Sequence, residues 1–289
     1  MPHTVQLIEC PRDAMQGIKT FIPTVAKIQY LQALLNCGFD TLDFGSYVSP
    51  RAVPQMADTS EVLAGLDLSR TQTRLLAIVA NTRGAIAALE HPEIDFLGYP
   101  FSISENFQMR NTHKTIAESI AVLTEIQSLA AQKRKEVVVY ISMGFGNPYG
   151  DPWDAGIVAE WTERLVEMGV TILSLSDTVG SATPEGISLL FSELIPKYPK
   201  ITFGAHLHTS PNFWFDKVDA AYNAGCRRFD GAIQGFGGCP MARDELTGNM
   251  PTEKMLSYFT ARNIDSGVKW MAFEAAYNKA SDLFSRYHP

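Results

Sequence analysis

The sequence predicts an α/β protein that forms a single (β/α)8 barrel over residues 1–289, with an additional C-terminal helix. Short apolar runs rich in β-branched residues alternate with longer amphipathic runs, as in strands that are each followed by a helix. Eight such units occupy roughly 260 residues, the usual size of this barrel. A doubly wound open sheet is the alternative. The sequence has no Gly-x-Gly-x-x-Gly turn and no Pro/Ser-rich linker, so the closed barrel is favoured.

The predicted strands are short runs of aliphatic and aromatic residues. The fifth is the clearest, because it contains three consecutive valines followed by Tyr140 and Ile141. In chain order the predicted strands cover residues 5–10, 39–44, 73–80, 94–99, 136–143, 171–176, 201–206 and 227–232.

The predicted helices have apolar residues at intervals of three and four. The first is typical, since Val25, Ile28, Leu31 and Leu35 recur at helical spacing and Gly38 supplies a C-terminal stop signal. In chain order these helices cover residues 24–36, 58–66, 82–90, 115–132, 155–168, 184–195, 212–223 and 252–260. Residues 266–287 are predicted to form the additional helix.

The composition is ordinary for a globular protein and excludes several classes of partner. Hydrophobic residues make up 46% of the chain, charged residues make up 19%, and the net charge is −7. No dense Lys/Arg patch is present and no apolar run approaches the roughly 20 residues that span a bilayer, so we expect neither a nucleic-acid nor a membrane partner. The four cysteines lack C-x-x-C spacing and the N-terminus has no targeting pattern. We therefore expect a cytoplasmic protein with reduced thiols.

Polar and ionisable residues collect where the predicted strands end. In a (β/α)8 barrel the chemistry lies at the C-terminal ends of the strands. Each residue alone has an ordinary explanation as a turn pair, a helix cap or a loop anchor, but together they indicate a site in the barrel mouth. They are Arg12 and Asp13 after the first strand, Asp43 in the second, Asp177 after the sixth, and His206 and His208 at the seventh.

His206 and His208 form a His-x-His pair at the end of the seventh predicted strand. Side chains two residues apart on a strand point to the same side, so both imidazoles could reach one point. Such a pair alone is weak evidence, because strand-end histidines are often only hydrogen-bonded. Asp13 adds an oxygen ligand, and the three together suit Mg²⁺, Mn²⁺ or Zn²⁺ with positions left open for substrate.

A glycine-rich segment, Gly235 to Pro240, follows the eighth predicted strand and presents Cys239. A buried cysteine is usually inert, but a thiol on a glycine loop at the barrel mouth could act as an acid, a base or a nucleophile. The residues alone leave these two interpretations evenly balanced.

Five motifs resemble those of hydroxymethylglutaryl-CoA lyases, the metal-dependent barrel lyases related to isopropylmalate synthase. Residues 11–16 are similar to the family's P-R-D-G-L-Q, and residues 47–56 are similar to its F-V-S-P-K-W-V-P-Q-M, which is long and specific. Residues 174–180 follow S-L-G-D-T-x-G, and residues 206–208 match its H-x-H. Residues 237–240 match its G-G-C-P, with a later Gly-Asn at residues 248–249.

The resemblance implies metal-dependent retro-aldol cleavage of 3-hydroxy-3-methylglutaryl-CoA, an acyl-CoA thioester, to acetoacetate and acetyl-CoA by a homodimer. It implies that Arg12 neutralises the thioester enolate and that Cys239 transfers a proton from a mobile loop. The implied residues fall into three groups: metal ligands Asp13, His206, His208 and Asn249; catalytic residues Arg12, Cys239, Asp43 and His206; and substrate-binding residues Gln16, Ser46 and Asp177.

Four departures from the family pattern leave the substrate open. The first turn is one residue shorter, and Asp43, Ala14 and Thr209 replace Glu, Gly and Asp respectively. A related 3-hydroxyacyl-CoA substrate, a Claisen-type condensing enzyme and a catalytically silent binding subunit are the alternatives. Residues 106–114, with Arg110 and Lys114, are predicted to contact CoA.

Overall fold

A computed structural model describes residues 4–238 and 247–287, in which eight parallel strands close into a barrel. Neighbouring barrel strands follow chain order, and the last pairs with both the seventh and the first. The predicted (β/α)8 barrel is therefore confirmed. The strands are β1 (Gln6–Glu9), β2 (Thr41–Ser46), β3 (Arg74–Ile78), β4 (Ile94–Ser102), β5 (Glu136–Ser142), β6 (Ile172–Ser176), β7 (Thr202–His206), β8 (His208–Thr209), β9 (Arg228–Gly231) and β10 (Gly248–Asn249).

Strands β8 and β10 lie outside the barrel and pair with each other in an antiparallel two-stranded sheet. Asn249 lies opposite His208 in this sheet. This short pairing places Asn249, which comes late in the chain, next to the end of β7.

Helices surround the barrel and cover the apolar outer faces of its strands. The C-terminal helix is present, as predicted. The helices are α1 (Pro11–Gln16), α2 (Thr24–Leu35), α3 (Thr59–Ala64), α4 (Thr82–Ala88), α5 (Glu105–Thr112), α6 (Ile116–Gln132), α7 (Ala155–Glu167), α8 (Pro184–Lys197), α9 (Trp214–Asn223), α10 (Thr252–Ala261) and α11 (Trp270–Tyr287). In the described ranges, no helix is long and apolar enough to cross a membrane.

Helix α11 ties the end of the chain to the barrel mouth. Phe284 meets Tyr30 of α2 edge-on, with ring centroids 6.0 Å apart. The same ring stacks on Phe236 at 4.1 Å, just after the last barrel strand. Aromatic contacts of this kind add to the free energy gained from apolar burial. The additional helix therefore anchors the beginning of the glycine-rich segment.

Inward-facing side chains that are paired across neighbouring strands of the barrel form layers. Ser174, Gly204 and Arg228 are paired across β6, β7 and β9. Two residues further along each strand, Ser176, His206 and Asp230 form the next layer toward the mouth. Since side chains two residues apart share a face, each residue of the lower layer lies beneath one of the upper layer.

Several local predictions were wrong for physical reasons. The sequence predicts a polar turn over residues 11–13, but these residues begin helix α1, which starts at Pro11 and is too short to show periodicity. Helix α5 covers most of the polar stretch 106–114, for which the sequence predicts no helix because it has few apolar residues; the helix begins after an N-cap, Ser104. Strand β2 begins two residues later than predicted. The β8–β10 sheet was missed because two-residue strands have no readable pattern.

Candidate active site

The predicted metal ligands converge at the C-terminal end of the barrel. Asp13 lies on α1 directly after β1, His206 ends β7, and His208 lies on β8. One ligand atom from each of these three residues lies within 4.8 Å of the others. Asp13 and His208 are buried, and the His206 side chain is 15% exposed. One oxygen and two nitrogen atoms that can bind a cation are therefore gathered at one point.

Hydrogen bonds fix which nitrogen each imidazole presents. The Nδ1 atom of His208 donates to the Thr178 carbonyl oxygen at 3.2 Å, and Nδ1 of His206 donates to the Asp230 carboxylate at 3.1 Å. Both Nε2 atoms are thereby left for the cluster. Among the described residues, Nε2 of His208 is buried and has no hydrogen-bond partner. An orphaned, buried ring nitrogen beside a carboxylate fits a metal ligand, because a buried polar atom needs a partner.

Asn249 reaches this cluster through the β8–β10 sheet. Its Nδ2 donates to Asp13 Oδ2 and to the Phe236 carbonyl oxygen, each at 2.8 Å. The amide oxygen is therefore the atom that Asn249 could offer to a divalent ion. Gly237 packs tightly here with a φ of +90°, and an added Cβ would lie 2.7 Å from the Asp13 carbonyl oxygen. Only glycine allows the loop to lie this close.

A second group of possible ligands, Cys10 with His206 and Asp230, lies beneath the first. The Nδ1 atom of His206 is already bound to Asp230 in this group. Burial raises the pKa of the Cys10 thiol well above its ordinary value, and nearby Asp230 adds to the rise. Because Nδ1 of His206 is already bonded to Asp230, its Nε2 is the atom left for a cation, and the geometry favours Asp13, His206 and His208 as the candidate metal ligands.

Arg12 is held rigidly by two carboxylates. Its Nε and Nη2 atoms bind Asp43, with Nη2 at 2.5 Å from Oδ2, while Nη1 binds Asp13 Oδ1 at 3.1 Å and Gln16 Oε1 at 2.9 Å. Burial lowers the pKa of Arg12, but Asp43 and Asp13 outweigh that effect and raise it. The site therefore contains a permanent, oriented positive charge beside the metal ligands.

Two of the three candidate ligands, Asp13 and His208, have pKa values shifted toward the protonation state that a metal requires. Burial raises the pKa of Asp13, but Arg12 and the two histidines outweigh that effect and lower it. Burial and the neighbouring His206 lower the pKa of His208 to about 4. Burial also acts to lower the pKa of His206, but its hydrogen bond to Asp230 raises it overall. An ionised Asp13 and a neutral His208 can bind a cation without first losing protons.

The ligand cluster opens into a cavity of about 430 Å³. Its lining combines apolar side chains with polar ones around the ligand cluster, the arrangement expected of a small-molecule site. The polar residues at the cluster, here called the base, include Arg12, Asp13, Gln16, Ser46, His206 and His208; the apolar residues, here called the walls, include Val48, Ala52, Val53, Ile78, Pro100, Phe107 and Tyr140; a further polar group, here called the rim, includes Asn81, Asn111, Thr112, His113 and Lys114; Ser49, Ala80, Ser142, Ser176 and Thr178 complete the lining.

Comparison with known proteins identifies the family. The family model described as HMGL-like matches residues 5–279. The chain belongs to the HMGL-like family. A cytoplasmic 3-hydroxy-3-methylglutaryl-CoA lyase of Rattus norvegicus is 31% identical over 272 residues, covering 93% of this chain and 78% of the relative. The resemblance seen in the sequence motifs is thus confirmed.

A bacterial relative and a solved structure agree with this assignment. A 3-hydroxy-3-isohexenylglutaryl-CoA/hydroxy-methylglutaryl-CoA lyase of Pseudomonas aeruginosa is 32% identical, covering 93% of this chain and 89% of that protein. The HMG-CoA lyase structure from Brucella melitensis superimposes with a TM-score of 0.90 at 30% identity, covering 98% of this chain and 99% of that chain.

Two of the site residues expected from the HMGL-like motifs do not lie in the described cavity wall. Asp177 is buried, binds Lys217 Nζ at 2.6 Å and accepts a hydrogen bond from the Ala182 amide at 2.9 Å, so it braces the end of β6. Asp43 lies behind Arg12 rather than facing the cavity. Cys239 lies outside the described residues.

Sequence reasoning missed the residues that orient the imidazoles. Asp230 binds His206, and Thr178 binds His208 through its carbonyl oxygen. Asp230 had a readable signal, because an acidic residue inside a predicted barrel strand is unusual. The role of Thr178 is a backbone contact and leaves no trace in the sequence. Asn111 to Lys114 line the rim, whereas Arg110 stacks on Tyr149, and contact of this segment with CoA stays a prediction.

Proposed function

We propose that this protein is a divalent-metal-dependent carbon–carbon lyase that cleaves 3-hydroxy-3-methylglutaryl-CoA to acetoacetate and acetyl-CoA. One observation carries the proposal: Asp13, His206 and His208 converge at the base of a cavity that the guanidinium of Arg12 also lines. The names of the rat and Pseudomonas relatives support the same reaction.

The proposed reaction breaks the bond between C2 and C3 of the acyl chain. A divalent ion held by Asp13, His206, His208 and Asn249 would lower the pKa of the tertiary hydroxyl at C3. When that hydroxyl gives up its proton to solvent, an oxygen electron pair forms the ketone of acetoacetate and the C2–C3 electron pair becomes the enolate of acetyl-CoA. Protonation of C2 then completes acetyl-CoA.

Arg12 is the residue best placed to stabilise the enolate. Its guanidinium is buried, is clamped by Asp43 and faces the cavity, so it need not reorient as negative charge develops on the thioester oxygen. Gln16 is bound to both Arg12 and Asp13, and Ser46 lines the same base, so both can contact the substrate. We assign the proton for C2 to Cys239, on the strength of the motif resemblance alone.

A related 3-hydroxyacyl-CoA with a larger group at C3 is the second candidate substrate. The cavity walls are formed by apolar side chains such as Val48, Ile78 and Phe107, which offer more apolar surface than a single methyl group needs. The Pseudomonas relative is named for an isohexenyl substrate as well as the methyl one.

The remaining assignments follow from the ligand set and the relatives. Asp13, Asn249 and two imidazoles suit Mg²⁺ or Mn²⁺, with Zn²⁺ as the alternative, because the set mixes hard oxygen and nitrogen ligands. A homodimer in the cytoplasm is proposed from the family resemblance and from the rat relative's name. Sedimentation of the purified protein tests the dimer.

The deciding experiment measures acetoacetate release from 3-hydroxy-3-methylglutaryl-CoA by metal-reconstituted protein. Arg12→Gln should lower kcat by about 10²–10³-fold, because it removes a charge that acts on the transition state. Arg110→Gln is the control, since Arg110 stacks on Tyr149 outside the cavity wall. A protein that binds metal but releases no acetoacetate would contradict the substrate assignment, and larger C3-substituted thioesters would then be assayed.

A further inference from the structure

We propose that Arg228 is a positioning residue that holds His206 in its metal-binding orientation through Asp230. The inference rests on the metal site of the proposed function, but it concerns a residue that lies outside that site. Arg228 lines a separate cavity of about 350 Å³ together with Gln6, Lys200 and Thr202, at the opposite end of the barrel from the metal ligands.

A continuous chain of contacts joins the two residues. Nη1 of Arg228 donates to Asp230 Oδ1 at 2.8 Å, and Nδ1 of His206 donates to Asp230 Oδ2 at 3.1 Å. The carboxylate therefore uses one oxygen for each partner. Asp230 is 2% exposed and Arg228 is 5% exposed, so water does not compete for these contacts.

Neighbouring strands leave space for the guanidinium. Gly204 is paired with Arg228 in the lower layer, and a Cβ at Gly204 would lie 2.7 Å from Arg228 Nη1 and 3.1 Å from Ser174 Oγ. Ser174 adds a long contact of 3.5 Å to the same nitrogen. Gly204, which has no side chain, and the small side chain of Ser174 thus leave room for the guanidinium of Arg228.

Barrel interiors are usually filled by branched aliphatic residues, and a buried ion pair is costly compared with apolar packing. Arg228 and Asp230 alone would therefore be a poor way to stabilise this barrel. The ion pair is better explained by the hydrogen bond between Asp230 and His206. With Oδ1 fixed by Arg228, Oδ2 stays aimed at Nδ1 of His206, and Nε2 stays aimed at Asp13 and His208.

Tyr140 restricts the same ring from a second direction. Its ring meets that of His206 edge-on, with centroids 5.5 Å apart and planes at 81°. The tyrosine prevents the imidazole from tilting, but it does not choose which nitrogen faces the ligand cluster. That choice depends on the carboxylate of Asp230 and, through it, on Arg228.

The test is the dissociation constant for Mn²⁺, measured by electron paramagnetic resonance on folded protein without substrate. Arg228→Met should raise this constant about tenfold, the lower end of the usual effect of removing an outer partner of a metal ligand, because Asp230 itself remains. Arg228→Lys should recover most of the affinity, since an ammonium can still bind Asp230. Gly204→Ala, which crowds the guanidinium, should give an intermediate loss and decides the question if Arg228→Met does not fold.

Lys27→Met is the matched control. It breaks another buried ion pair, between Lys27 Nζ and Asp58 Oδ1 at 2.6 Å, whose residues do not line the ligand cavity. This variant should lose thermal stability and keep the wild-type Mn²⁺ constant. Wild-type affinity in both Arg228→Met and Gly204→Ala would overturn the inference. Normal Mn²⁺ binding by the wild type without acetoacetate release would instead contradict the proposed reaction and leave the role of Arg228 standing.

Discussion

Lys114 and Arg110 are four residues apart in the chain, but Lys114 lines the cavity and Arg110 lies on the surface. Lys114 lines the rim, and its Nζ binds the Ala80 carbonyl oxygen at 3.2 Å. Arg110 lies over the ring of Tyr149, with its guanidinium carbon 4.8 Å from the centroid. The sequence placed both in one polar stretch and could not separate them, because it did not reveal helix α5 or where that helix ends.

We expect Lys114→Gln to raise KM for the CoA substrate about tenfold, equivalent to about 1.4 kcal/mol of binding free energy, and to change kcat little. The reason is that Lys114 offers a positive charge at the rim, away from the proposed bond cleavage. Steady-state kinetics measure both constants. Arg110→Gln serves as the control, and an equal rise in KM for both variants would contradict a specific role for Lys114.

Replacement of Asp43 should lower kcat without a large change in the affinity for the metal ion. Its carboxylate clamps Arg12 but is not part of the ligand cluster. Asp43→Asn should lower kcat by at least about tenfold, because Arg12 then loses the partner that orients it. The Mn²⁺ dissociation constant should stay within a few-fold of wild type. Asp43→Glu, the family's residue, should keep most of the activity; its failure to do so would show that the longer side chain does not fit this site.

At the scale of elements, strand β1 is joined to the end of the barrel by one buried carboxylate. Glu9 accepts hydrogen bonds from the Ile233 amide at 2.9 Å and from Thr252 Oγ1 at 2.6 Å, at the start of α10. Burial raises the pKa of Glu9 from 4.5 to about 8, against the lowering effect of those hydrogen bonds. The folded protein therefore holds this proton more tightly than the unfolded chain does.

Ionisation of Glu9 should therefore lower the free energy of unfolding as the pH rises. Its contribution is most favourable below about pH 4.5, falls between about pH 4.5 and 8, and is constant above that. Glu9→Gln keeps the shape without the charge, so it should raise the free energy of unfolding at pH 9 by a few kcal/mol, at most the roughly 5 kcal/mol that this pKa shift implies, and change it little at pH 5. Urea denaturation at the two pH values measures this difference. An equal effect at both values would contradict the assignment.

The elements that could be predicted leave a pattern of apolar residues in the sequence, and the elements that were missed do not. Strand β5 and helix α2 were found because their burial requires continuous or periodic apolar residues. Sheet β8–β10 was not found, because its two short strands are joined through backbone hydrogen bonds and lie far apart in the chain. The candidate ligands His206, His208 and Asp13 could be found from residue type and position. Their orientation by Asp230 and Thr178 could not, since it depends on tertiary contacts.

For the molecule as a whole, a bound ion should act as a stabilising ligand. An ion that binds only the folded state adds about 2.7 kcal/mol when its concentration is one hundred times its dissociation constant. We therefore expect Mn²⁺ to raise Tm by about 5 °C relative to protein in chelator, measured by differential scanning calorimetry. His208→Ala should abolish the Mn²⁺-dependent rise, and a rise that persisted would show that the ion binds elsewhere.

The hydrogen bond between Asn249 and Asp13 joins positions 236 residues apart, and that between Thr252 and Glu9 joins positions 243 apart. The site is thus assembled from residues that lie far apart in the chain. A nascent chain that has emerged from the ribosome only as far as β7 already contains Asp13 and His206, yet it lacks the strand that closes the barrel and the amide that completes the ligand set. Competence to bind the ion should therefore be acquired only after Asn249 has emerged, so that shorter nascent chains lack the full set of proposed ligands.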